Sequence, residues 1–152
     1  MSIALNMEES PTERLILVVQ DNPDHTRLIK DALNERGGRH QVMALTDGVQ
    51  AMDFLYRRGN YGGATRPDLI LLDLNLPGKD GKEILAEIKA DPQFRRIPIV
   101  VLTISANEED IFRSYALQGN CYVIKSSDLD QLFQIVKRIE EFWLGIVTLP
   151  LE

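Results

Sequence analysis

The sequence predicts a doubly wound α/β fold built on a parallel sheet, and three observations carry that expectation. Five short apolar runs rich in Val, Ile and Leu alternate with five stretches whose apolar residues recur at helical spacing. The third run, Asp68-Leu-Ile-Leu-Leu-Asp73, is apolar without alternation, as expected of a central strand covered on both faces by helices. The connections are short, which suits right-handed strand-helix-strand crossovers within one sheet.

Each element has its own signal. Residues 15–19, Leu-Ile-Leu-Val-Val, make the first strand; Asn22 can cap the following helix, with Pro23 in its first turn. Leu28, Ile29, Ala32 and Leu33 line one face of that helix, and Gly37-Gly38 stops it. Residues 42–45 form a short second strand. Asp47 opens a helix carrying Val49, Ala51, Met52, Phe54 and Leu55, and the glycine-bearing segment 58–67 reads as an exposed loop. Asp80 with Glu83 forms a capping box for a helix ending at Ala90. Residues 98–102 are a fourth strand, and Ser105 with Glu108 caps a helix through Leu117. Residues 121–124 are the fifth strand, after which Ser127 with Asp130 starts a last helix running to about Leu144. The periodic elements fill residues 14–144, leaving 1–13 as a flexible start and 145–152 as a short tail, with no room for an output domain.

Composition narrows the function classes. With 152 residues, 44% of them hydrophobic, the chain can bury a core without help from disulfides or metal. A formal charge of -6 counts against affinity for a nucleic-acid backbone. The single cysteine, Cys121, excludes an intrachain disulfide, fits a reducing compartment and reads as a small buried hydrophobe. Residues 1–13 lack the basic and apolar regions of a signal peptide, and every apolar run falls far short of the ~18 residues needed to cross a bilayer. A cytoplasmic protein with no nucleic-acid or membrane partner is expected.

In open α/β sheets, ligands lie outside the carboxyl ends of the strands, so the polar residues closing each apolar run are the informative ones. Asp21 follows the first strand, Asp73 ends the third, Thr103 follows the fourth and Lys125 the fifth. If the sheet forms, two carboxylates, a hydroxyl and an ammonium converge on one crevice. Two acids there repel unless a cation lies between them, and hard oxygen donors without thiol or imidazole suit Mg2+. That set favours phosphoryl transfer, with Asp73 as a nucleophile forming an acyl phosphate and Lys125 gripping a phosphoryl oxygen.

The motifs Val18-Val19-Gln20-Asp21, Leu72-Asp73-Leu74-Asn75-Leu76-Pro77-Gly78, Asp80-Gly81, Leu102-Thr103 and Tyr122-Val123-Ile124-Lys125 together resemble the receiver domains of two-component response regulators. The resemblance covers residues 14–142 and implies a flavodoxin-like fold with strand order 2-1-3-4-5. It implies Asp73 as phosphoacceptor, with Mg2+ held by Asp21, Asp73 and the backbone carbonyl of Asn75. Thr103 and Lys125 match the residues that bind phosphoryl oxygens, and Tyr122 the aromatic that follows the threonine when the domain switches. A histidine kinase is the implied phosphodonor, and the first helix, with His25, Leu28 and Ile29, its docking element. His25 and His40 are otherwise read as surface residues.

The sequence departs from the receiver pattern twice. Gln20 stands where an acid is usual, leaving an amide in the outer shell of the metal, and Ser126 follows Lys125 where a proline is usual. The C-terminal segment further resembles single-domain regulators that partner cyanobacterial phytochromes and tend to be homodimers. The last helix supports this independently, because Ile135, Phe142 and Ile146 widen the apolar stripe that ends in Trp143 beyond what one sheet face covers, and these four residues are the expected dimer or partner contacts. A downstream protein partner is also implied. Two rival readings have discriminating features. A receiver-like interaction module that no longer uses phosphorylation is motivated by Gln20. An aspartyl phosphatase is disfavoured by Asn75, which stands where such enzymes carry a second acid. Replacing Gln20 with glutamate is expected to tighten Mg2+ binding by about 10- to 100-fold and to speed phosphorylation by a small phosphodonor. Unchanged metal affinity in a titration of Gln20→Glu contradicts the outer-shell assignment.

Overall fold

The computed structural model describes residues 14–35 and 40–150. Five strands, β1 (Arg14–Val19), β2 (His40–Leu45), β3 (Leu69–Leu72), β4 (Ile99–Thr103) and β5 (Cys121–Ile124), form one sheet in the order β2-β1-β3-β4-β5. Every pairing is parallel. The crossovers are α1 (Pro23–Asn34), α2 (Gly48–Leu55), α3 (Gly81–Ala90) and α4 (Glu108–Ala116), and α5 (Leu129–Glu140) follows β5. This is the strand order that the resemblance implies.

Strand alternation sends successive side chains to opposite faces, and both faces are covered. Ile16 and Val18 of β1 join Leu69, Leu71, Ile29, Leu33, Leu132 and Val136 beneath α1 and α5. Leu17 and Val19 join Ile70, Leu72, Met52, Ile84, Leu85 and Ile88 on the other side. All four residues of β3 are buried, which explains the unbroken apolar run read from the sequence. At the end of the sheet away from the strand carboxyl ends, Lys137 of α5 bonds Glu140 at 2.9 Å and Glu35 at 3.1 Å, tying α5 to the end of α1.

Several local expectations shift by a few residues. Strand β2 begins at His40 because the ladder with β1 pairs Arg14 with His40. Asn107, not Ser105, caps α4, accepting from the backbone N–H groups of Glu109 and Asp110. Ser105 instead donates to Asp110 at 2.7 Å. Asp128, not Ser127, caps α5. In both cases a carboxylate or amide next to the first turn reaches the orphan N–H groups, and before α4 Ser105 forms a side-chain turn instead. Segment 58–67 is not wholly exposed, because a short 3-10 turn (Gly59–Tyr61) brings Tyr61 edge-on to Phe54 with ring centroids 5.5 Å apart. Cys121 is only partly buried.

The last helix does not stay α-helical to Leu144. After Glu140 it widens into a π-helical stretch, Glu141–Ile146, closed by the Val147 N–H donating to the Phe142 carbonyl at 2.9 Å. Beyond it Leu149 is buried, so this part of the tail packs on its own domain.

Gly81 shows how tightly the fold holds the strand ends. It opens α3 and its N–H donates to the Leu74 carbonyl at 3.0 Å. A Cβ there would fall on the Asp73 carbonyl oxygen and within 2.6 Å of the Leu74 Cα, both unyielding backbone atoms. Gly81→Ala is therefore expected to lower stability by about 1–3 kcal/mol, an overpacking cost that urea unfolding measures; unchanged stability contradicts it.

Candidate functional site

The sheet ladder runs one residue past three strands. The backbone N–H groups of Gln20, Asp73 and Lys125 donate to the carbonyls of Leu45, Val19 and Thr103 at 3.1, 2.9 and 2.7 Å. Those bonds fix the first residues beyond β1, β3 and β5, and Thr103 is the last residue of β4. Their side chains consequently meet. Asp73 and Lys125 are each 5% exposed, and Gln20 and Thr103 are fully buried.

The contacts are specific to each oxygen. Asp73 Oδ1 accepts from the Thr103 hydroxyl at 2.8 Å and from the Asn75 N–H at 3.1 Å. Asp73 Oδ2 accepts from Lys125 Nζ at 3.1 Å. Lys125 Nζ also donates to Gln20 Oε1 at 2.9 Å, and His25 Nδ1 lies 3.1 Å from it. Gln20 Nε2 reaches the carbonyls of Leu71 and Leu102 at 3.5 and 3.3 Å. One amide thus links the ends of β1, β3 and β4 to the lysine on β5. These contacts turn both polar atoms of Gln20 toward Lys125 and the sheet backbone. Gln20 thereby seats the lysine.

Asp21 is exposed, one residue beyond Gln20 on the strand next to β3. The bond between Lys125 and Ser126 is trans, since no described peptide bond is cis. Ser126 donates to Gln131 at 2.8 Å and accepts from the Asp128 N–H at 3.0 Å, a turn that leads into α5. Tyr122 stands apart from the crevice. Its hydroxyl donates to the Ser105 carbonyl at 2.8 Å, and burial raises its pKa. Ser105 bonds Asp110, whose other oxygen accepts from Lys82 at 2.7 Å. That bond raises the pKa of Lys82 and lowers that of Asp110.

His25 was the residue that sequence reasoning missed. Read as a surface residue, it is half-buried in the first turn of α1, and its partner lies 100 positions away. No local pattern marks it; the one available signal was its place in the helix that starts at the site. Ile29 is also corrected, because it is fully buried core and offers no docking surface, while Leu28 is half-buried.

Ile135, Phe142, Trp143 and Ile146 lie elsewhere. With Cys121, Val123 and Ile139, the first three line an open apolar groove of about 700 Å3 between β5 and α5. Phe142 is 49% and Ile146 74% exposed. Among the described residues no helix is long and apolar enough to cross a membrane.

Known proteins resemble this chain in sequence and fold. Response regulator Rcp1 of Synechocystis sp. is 50% identical over 143 residues, 94% of this chain and 97% of that protein. The crystal structure of the phosphorylated cyanobacterial phytochrome response regulator RcpA is 56% identical, with a TM-score of 0.90 over 92% of this chain and 100% of that one. The Mn(2+)-bound form of response regulator Rcp1 superposes with a TM-score of 0.87 at 51% identity, covering 91% of this chain and 99% of that one. With the family model of the response regulator receiver domain matching residues 16–137, the buried Asp73, Thr103 and Lys125 lie in a chain that belongs to that family.

Proposed function

We propose that this receiver accepts a phosphoryl group from a histidine kinase of the phytochrome type onto Asp73, with Mg2+, and relays the signal in the cytoplasm by changing a protein interface. The observation that carries the reading is the two-sided hold on Asp73: a hydroxyl and a backbone N–H on one carboxylate oxygen, an ammonium on the other. The likeness to a phosphorylated cyanobacterial phytochrome response regulator supports the kinase class.

The donor set suits a hard divalent ion. Asp21 and Asp73 with the Asn75 carbonyl offer oxygen atoms alone. Mg2+ bound there supplies positive charge against the phosphoryl oxygens. The residues do the rest. A carboxylate oxygen of Asp73 forms the new bond to phosphorus as the donor's phosphorus–nitrogen bond breaks, and the leaving imidazole nitrogen takes up a proton. Lys125 exchanges its bond to Asp73 Oδ2 for one to a phosphoryl oxygen, and the Thr103 hydroxyl turns from Oδ1 to another. The chain assists its own phosphorylation and dephosphorylation but turns over no separate substrate.

Movement of Thr103 pulls on the segment two residues on, where the Ser105 carbonyl holds Tyr122. The switch is then a shift between two arrangements of α4 and β5, biased by new charge-assisted bonds. The apolar groove by α5 and the exposed Ile146 support a homodimer, with a downstream protein reading the altered face.

A second reading, an interaction module with weak or no phosphorylation, is favoured by Gln20, whose neutral amide removes a negative charge from the cation site. Acetyl phosphate with Mg2+ separates the two. Intact mass is expected to show one added phosphoryl group on the wild type and none on Asp73→Asn or after chelation of the metal; an unmodified wild type favours the module instead. Light scattering is expected to give a dimer mass for the wild type, shifted toward monomer by Ile146→Asp, and a monomeric wild type contradicts the dimer.

A further inference from the structure

The ammonium of Lys125 has three N–H groups and no lone pair, so each of its partners must accept. Three acceptors surround it: Gln20 Oε1 at 2.9 Å, His25 Nδ1 at 3.1 Å and Asp73 Oδ2 at 3.1 Å. The count matches with nothing left over. The first two acceptors are neutral, so they hold the group in place without cancelling its charge. They come from two different places, the residue just past β1 and the first turn of α1, while the lysine lies just past β5.

We propose that His25 is a positioning residue for phosphoryl transfer: its Nδ1 lone pair, together with the Gln20 amide oxygen, anchors two N–H groups of Lys125 so that the third is aimed at the Asp73 oxygen or the phosphoryl oxygen that replaces it. The inference rests on the proposed role of Lys125 as the residue that grips the phosphoryl group. A flexible four-carbon stem does not aim a donor by itself; two fixed acceptors and the buried stem do. Preorganising a charge where new charge develops is worth more than supplying it, because nothing has to reorient as the bond forms.

The chemistry of the ring is consistent with this. A nitrogen that accepts from an ammonium carries no proton, so the neutral imidazole keeps its hydrogen on Nε2. Burial and the neighbouring Lys125 charge lower the pKa of His25, against the opposing pull of Asp73 and Asp24, a direction that favours the neutral ring.

Two measurements on the full chain test the assignment. At saturating Mg2+ and phosphoramidate, His25→Phe keeps a ring but no acceptor, and is expected to slow uptake of the phosphoryl group by about 10- to 100-fold while leaving Mg2+ affinity unchanged. His25→Asn, whose Oδ1 stands near the position of Nδ1, is expected to restore most of that rate. A His25→Phe protein as fast as the wild type, or a His25→Asn protein as slow as His25→Phe, overturns the proposal. Long-range 15N–1H NMR of the unsubstituted protein needs no phosphorylation at all. It is expected to show His25 protonated on Nε2 alone, with an Nδ1 signal that moves in Lys125→Met, and a proton on Nδ1 overturns the proposal. Failure of Asp73 to take up a phosphoryl group would sink the function proposed above while leaving the NMR result standing, so the two failures are distinguishable.

Discussion

The ammonium of Lys125, buried at the carboxyl end of the sheet against a single carboxylate, is the interaction around which this crevice is organised. A charge taken out of water costs several kcal/mol unless its donors are matched, and breaking such a pair by deleting one partner typically costs about 3–5 kcal/mol. The chain meets that cost with one anion and two neutral acceptors. Gln20 contributes on both sides of its amide, its oxygen to the lysine and its nitrogen to the backbone of β3 and β4. The residue that departs from the receiver pattern is thus built into the frame of the site. Where an acid would compete with Asp73 for the lysine, an amide leaves the lysine's charge to Asp73 alone.

Backbone geometry does the positioning. The ladder bonds that overrun β1, β3 and β5 place Gln20, Asp73 and Lys125 with the rigidity of strand residues, although they lie outside the strands. The close approach of α3 at Gly81 presses on the Asp73 carbonyl from the other side. Two residues after Thr103, the Ser105 carbonyl accepts from Tyr122 and the Ser105 hydroxyl donates to Asp110, which in turn accepts from Lys82, so bonds at Ser105 reach β5, α4 and α3.

Much of this was legible in the residues. Parallel strands buried on both faces leave an unmistakable apolar run, as in Leu69–Leu72, and helix caps such as Asn22, Asp47 and Asp80 announce themselves by chemistry. Of the four residues that strand ends placed at one crevice, Asp73, Thr103 and Lys125 are bonded together, while Asp21 is exposed. What the sequence hid depended on direction and distance. Nothing near Gln20 says that its amide turns toward the lysine and away from solvent. Nothing near His25 says that the first turn of α1 leans over the end of β5. Competition between neighbouring caps, Ser105 against Asn107 and Ser127 against Asp128, is decided by reach within a single turn, which residue type does not encode. The π-helical turn after α5 has no mark in the local pattern either; within it Trp143 is half-buried and Ile146 exposed.

The most direct test is a crystal structure with Mg2+ and beryllofluoride, a mimic of the phosphoryl group, on Asp73. The account predicts that Lys125 Nζ bonds a fluorine while keeping both Gln20 Oε1 and His25 Nδ1 within hydrogen-bond distance, with the Thr103 hydroxyl on a second fluorine. A Lys125 side chain that leaves those two acceptors to follow the mimic, or that never reaches it, contradicts the claim that this ammonium is aimed in advance.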